Sequence, residues 1–444
     1  MPRLPRPRVL ICAAFATLVY IVLPPLSAVA AEKAIWGPVD RPGGGSAFPL
    51  YRHLGVDTYQ ASVNWATIAS RRPVEPRDPD DPAYSWPTSL DRAVVQSRRY
   101  GIKPALLVTK SPAWANGGRS ALWVPQASAY ADFLTAVSRR YPSVRRWMIW
   151  GEPNSVNTFR PNRPGTAVGP RAYARLLDAA YGALKRASRK NIVIGGMTHT
   201  GGTVTPARFL RLMRLPSGRR PRLDWYGHNP FPISFPNLRK RPVRGGFRDI
   251  SDLDTFAKEV AQAYRRRRPK LWLSEFVVQS DHPSRVFARS VSRAEQARWL
   301  RAAYAIADRL PSVAGLGWLG LLDEPEAPRS ANWGLLTASG KRKPSFFAYR
   351  RAPSRRFRPY VSSPRPARGI VRGSVVRVRP RARGVVTLEI RTARGRLAGR
   401  IARRLIAGAL WRVRISTVRL PRGRYTVVVD APRGERVRRK LRVR

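Results

Sequence analysis

Along residues 34–350, short runs of consecutive apolar residues alternate with stretches whose apolar positions recur every three or four residues. The first pattern belongs to a strand buried on both faces, the second to a helix covering it, and their alternation predicts a parallel sheet of βα units. Eight runs can be counted: Ala34–Gly37, Thr58–Trp65, Pro104–Lys110, Trp147–Glu152, Ile192–Met197, Leu223–His228, Leu271–Phe276 and Val313–Leu322. Between them, Tyr130, Phe133, Leu134, Val137 and Tyr141 form one apolar helical face, and Leu253, Phe256, Val260 and Tyr264 another. Ser292 and Glu295 have the spacing of a capping box that opens the helix before the eighth strand. Eight strand–helix repeats predict a (β/α)8 barrel over residues 31–353.

After Pro353 the periodicity changes. Residues 354–366 mix Pro, Ser and Arg without a repeat and read as a linker. Beyond them, Val386, Leu388 and Ile390, then Trp411, Val413 and Ile415, then Tyr425, Val427 and Val429 alternate with polar residues, which predicts a small all-β sandwich over 367–444. At the opposite end, Arg3, Arg6 and Arg8 precede an apolar run from Val9 to Leu23, and Ser27-Ala28-Val29-Ala30 offers small residues for cleavage before Ala31. Residues 1–30 therefore read as a signal peptide and the chain as secreted or envelope-associated, with no membrane span left after cleavage. The single cysteine, Cys12, lies in the removed segment, so the mature chain has no disulfide.

The formal net charge of +58 comes mostly from Arg dispersed along the chain. Without a zinc-finger spacing, a ribonucleoprotein motif or an isolated basic helix, that charge argues against nucleic acid and for attraction to an anionic polymer of a cell envelope. The 43% hydrophobic content excludes wholesale disorder.

In a barrel of this type the chemistry sits at the C-terminal tips of the strands. Strand four ends at Glu152 and strand seven at Glu275. Two carboxyl groups facing one cleft suit glycoside hydrolysis, in which one protonates the leaving oxygen and the other stabilises or traps the oxocarbenium-like centre. Trp114, Asn154, His199, His228 and Trp318 end other runs and are the candidate sugar-contacting residues, with Trp150 a further aromatic. His199 and His228 lack a third ligand by spacing, so no metal is expected, and no cofactor is required.

Trp150-Gly151-Glu152-Pro153-Asn154 together with Trp272-Leu273-Ser274-Glu275-Phe276 resembles the clan A glycoside hydrolases, the cellulase-like barrel glycosidases. Ser111-Pro112-Ala113-Trp114-Ala115 and the segment from Gly334 to Phe347 are similar to the same clan. The resemblance implies Glu152 as acid/base and Glu275 as nucleophile of a retaining reaction on an oligo- or polysaccharide. Two positions depart from it: Gly151 stands where most members carry an Asn that binds the sugar 2-hydroxyl, and Phe231 near where many carry a Tyr on the nucleophile. Asn154 or Asn229 is the candidate replacement. The departures leave an alternative, a degenerate barrel that binds carbohydrate or envelope without cutting.

Overall fold

The computed structural model describes residues 31–354, 360–361, 365–366, 373–416, 420–432 and 435–443. The segment read as a signal peptide lies outside the described residues. Eight parallel strands close into a barrel: β1 (Glu32–Trp36), β2 (Thr58–Asn64), β3 (Lys103–Thr109), β4 (Arg146–Ile149), β5 (Ile192–His199), β6 (Trp225–Asn229), β7 (Leu271–Phe276) and β8 (Val313–Leu319). Each pairs with its neighbours in sequence, and β8 closes on β1. This is the (β/α)8 architecture expected from the pattern. The helix carrying Tyr130, Phe133 and Val137 is α1 (Ala127–Arg140) and the one carrying Phe256 and Val260 is α2 (Leu253–Tyr264). Both bury those faces against the strands. The Ser292–Glu295 capping box forms in full and starts α3 (Arg293–Arg309).

Alternation along each strand sorts side chains into two cores. Residues such as Ile35, Trp147, Leu273 and Leu316 face the helices, whereas Ala34, Leu107, Met148, Ile194 and Trp272 fill the bore. The lower bore is sealed by charge: buried Glu32 accepts from Arg146 and Lys103, each at 2.8 Å, and Arg146 lies over the rings of Trp225 and Trp272. Although burial opposes its ionisation, the two cations hold the Glu32 carboxyl below its usual range. Above this plug, Gln60 accepts from the Trp272 indole and donates to the Ser274 carbonyl. The floor of the bore is thus rigid and its mouth polar.

The described strands that follow the barrel in sequence form two antiparallel sheets. One contains β9 (Tyr360–Val361), β10 (Arg365–Pro366), β11 (Gly373–Arg379) and β14 (Trp411–Ser416); the other has the order β13 (Leu397–Leu405), β12 (Gly384–Thr392), β15 (Gly423–Ala431), β16 (Glu435–Val443). Inward residues of both sheets, among them Val376, Leu388, Trp411 and Val427, make a single core, as in a sandwich. The stretch expected to be a linker is shorter than read from composition: β9 and β10 both pair with β11, and Ser354 is buried with its hydroxyl donating to the Gly55 carbonyl. Pro366 is tolerated because β10 is a two-residue edge strand paired with β11 alone among the described strands. No helix among the described residues is long and apolar enough to cross a membrane.

Candidate active site

Strand β4 stops at Ile149, three residues before the predicted end, because the chain kinks there. Trp150 and Glu152 have φ of 59° and 51°, a conformation rare outside glycine. Backbone hydrogen bonds hold the kink: Trp150 N donates to Val108 O on β3 and Glu152 N to Met197 O on β5. The Trp150 indole sinks between Tyr130 and Phe159, its N–H donating to Thr158 O, so this ring is an anchor and not a sugar platform. Such strain persists only where surrounding structure fixes it, and here it sets the direction of Glu152.

Glu275 is positioned differently. Between Leu316↔Leu273 and Trp318↔Phe276 the β8–β7 register gains one residue on β7, a bulge that interrupts alternation. Ser274 faces the bore before the bulge, and its carbonyl accepts from both the Trp36 and Gln60 side chains, at 3.0 and 2.8 Å. Gly317 on β8 permits this, since any side chain there would run into that carbonyl. The bulge leaves Glu275 half-buried at the mouth.

One residue bridges the two tips. Asn229, fully buried at the end of β6, donates from Nδ2 to Glu152 Oε1 at 3.1 Å and accepts at Oδ1 from the Ser274 hydroxyl at 2.7 Å. The amide therefore supports negative charge on Glu152. Glu275 receives no hydrogen bond from any described residue, and burial, reinforced by the charge of Glu152, pushes its carboxyl up to about 8. Near neutrality the Glu275 carboxyl therefore holds a proton in the unliganded cleft.

Three of the expected sugar contacts are corrected by the structure. Asn154 is wholly buried: its amide donates to the carbonyls of His199, Gly201 and Val204 and its oxygen accepts from His199 N, stapling the loop after β4 to the loop after β5. His228 points outward against Phe256, with Nε2 donating to Arg248 O and Nδ1 accepting from Thr198. Burial pushes its pKa down to about 3, so it is a neutral spacer between barrel and helix. Trp318 also faces outward, packed on Phe276 and donating to Trp333 O. Trp114 is half-buried edge-on against Trp65 with its N–H on Ala69 O. His199 keeps an unclaimed polar atom: its Nε2 is buried without a partner, beside Asn229 in register. Two further acids beyond β8 are paired, Asp323 with Lys343 and Glu324 with Arg285. Among the described residues no three His, Cys, Asp or Glu gather as metal ligands.

The sequence reading missed Trp36 and Ser274 and held Asn229 only as an unplaced replacement. The signal was the period of two: counting from outward Ile35 makes Trp36 inward, and counting from outward Tyr226 makes Asn229 inward and His228 outward.

Most of the chain aligns with two solved glycosidases. One is a family 39 glycoside hydrolase from the gut symbiont Bacteroides cellulosilyticus WH2, at TM-score 0.54 and 16% identity over 87% of this chain and 81% of that one. The other is the GH39 enzyme from Xanthomonas axonopodis pv. citri, at TM-score 0.52 and 13% identity over 88% and 92%. The fold is that of family 39 glycoside hydrolases. No family model and no curated protein matches the sequence.

Proposed function

We propose that the chain is a secreted glycoside hydrolase cleaving O-glycosidic bonds of an oligo- or polysaccharide with retention. The observation that supports this most is the bridge Glu152–Asn229–Ser274, which ties the tips of β4 and β7 together and sets two interacting carboxyl groups at one mouth of the barrel. In the first step Glu275 attacks the anomeric carbon while Glu152 protonates the departing oxygen; in the second Glu152 takes a proton from water, which displaces Glu275. This order requires the proton on Glu152, whereas the empty cleft favours Glu275. Substrate favours the ionised nucleophile: a sugar hydroxyl donating to Glu275 supplies the hydrogen bond that the described residues do not. The first step needs one proton on the pair, so kcat/KM falls as pH rises through about 8. The basic and apolar N-terminal run followed by small residues supports export.

A second reading, sugar binding without cleavage, is favoured by Gly151, where an added Cβ meets only Leu107 and no side chain reaches the sugar 2-hydroxyl. Turnover of a panel of aryl β-glycosides and cell-wall polysaccharides separates the two. Hydrolysis abolished by Glu152→Ala and by Glu275→Ala supports the enzyme; binding without turnover in the parent chain overturns it.

A further inference from the structure

The outward face of the β13-β12-β15-β16 sheet is a second candidate site, independent of the barrel cleft. Val386, Leu388, Ile390, Tyr425, Val427 and Val429 point into the sandwich, so the residues alternating with them point away. Two acids lie on the outward side of β12 and β15, and both are taken: Glu389 by Arg391 and Arg400, Asp430 by Arg436. Five exposed cations are left with no acidic partner among the described residues: Arg404, Arg424, Arg438, Lys440 and Arg442.

Their arrangement follows from strand geometry. Arg438, Lys440 and Arg442 succeed one another along edge strand β16, spaced by two residues or about 7 Å. Arg424 on β15 stands directly opposite Arg442. Like charges facing each other across a ladder destabilise a sheet, and no acid among the described residues compensates them. We infer that this face binds a linear polyanion without aromatic groups, an acidic polysaccharide carrying one carboxylate per repeat. The row of cations follows one strand, so it suits a chain lying along it. None of the outward positions of the four strands is aromatic, so single-stranded nucleic acid finds no stacking platform. The face's exposed apolar side chains, Val385 and Leu397, sit at opposite ends of the β12–β13 pair, so no continuous apolar face is offered to lipids.

The experiment uses the full chain and size-fractionated polygalacturonate, with dextran, oligo(dT) and anionic phospholipid vesicles as comparators. The variant R424Q/R438Q/K440Q/R442Q is set against R98Q/R171Q/R175Q/R189Q, which removes the same charge from exposed arginines of the barrel. The sheet variant is expected to lose at least tenfold in affinity, with a shallower dependence of log K on log salt, and the barrel variant less than twofold. Its melting temperature should hold or rise, because opposed cations have been removed; a fall would contradict their being uncompensated. Equal losses in both variants, or tighter binding of oligo(dT) or vesicles than of polygalacturonate, would overturn the proposal.

Discussion

At the scale of single residues, the raised pKa of Glu275 makes activity and stability oppose each other. The folded carboxyl titrates near 8 and the unfolded one near 4.5, so between these values the folded state binds the extra proton. The contribution to stability is complete below pH 4.5 and is lost as pH rises through 8. Glu275→Gln should therefore abolish turnover while raising the melting temperature by a few degrees at pH 9, with little gain at pH 4.5, as thermal scans across pH will report. Asn229→Ala removes the donor on Glu152 and leaves the buried Ser274 hydroxyl unpaired; about 1–3 kcal/mol of stability and at least tenfold in kcat should go, with a displaced pH–rate profile. Asn154→Ala strips four hydrogen bonds from a buried staple and should cost about 2–4 kcal/mol in denaturant unfolding while KM changes less than twofold. The same substitutions would exchange effects if Asn154 were the sugar ligand.

At the scale of elements, all eight barrel strands were legible because a strand buried on both faces writes itself as an apolar run, and those runs recur between amphipathic helices. What the run does not encode is which way its last side chain turns. His228 and Asn229 are adjacent, yet one is a spacer beside Phe256 and the other the bridge of the site. Alternation resolves that pair, but not Glu275, whose place depends on a bulge that only the register against β8 reveals. The kink after Ile149 is likewise a matter of tertiary contacts with β3 and β5. Composition misled at residues 360–366, where Arg and Pro concealed two short edge pairings. Gly317→Ala tests the bulge: its methyl must displace the Ser274 carbonyl, so kcat should fall at least tenfold with a loss of stability, whereas Gly151→Ala meets only Leu107 at 3.4 Å and should be tolerated. Gly151→Asn, restoring a donor for the 2-hydroxyl, should raise kcat/KM on aryl glycosides about tenfold if the resemblance to the clan holds at this position.

At the scale of the whole molecule, a barrel sealed below by Glu32, Arg146 and two tryptophans carries its polar groups to the open end, where two strained or bulged strand tips present carboxyl groups through one asparagine. The net charge of +58 fits the proposed export to an anionic envelope and has no part in the proposed cleavage. The claim on which this account rests is that Glu275 becomes covalently attached to sugar. Incubation with 2-deoxy-2-fluoro glycosides bearing good leaving groups, followed by peptide mass mapping, tests it directly. The account predicts one added glycosyl group per chain, on the peptide containing Glu275, with azide restoring turnover in Glu152→Ala. An adduct on any other residue, or none with a glycoside whose parent sugar the protein hydrolyses, would contradict it.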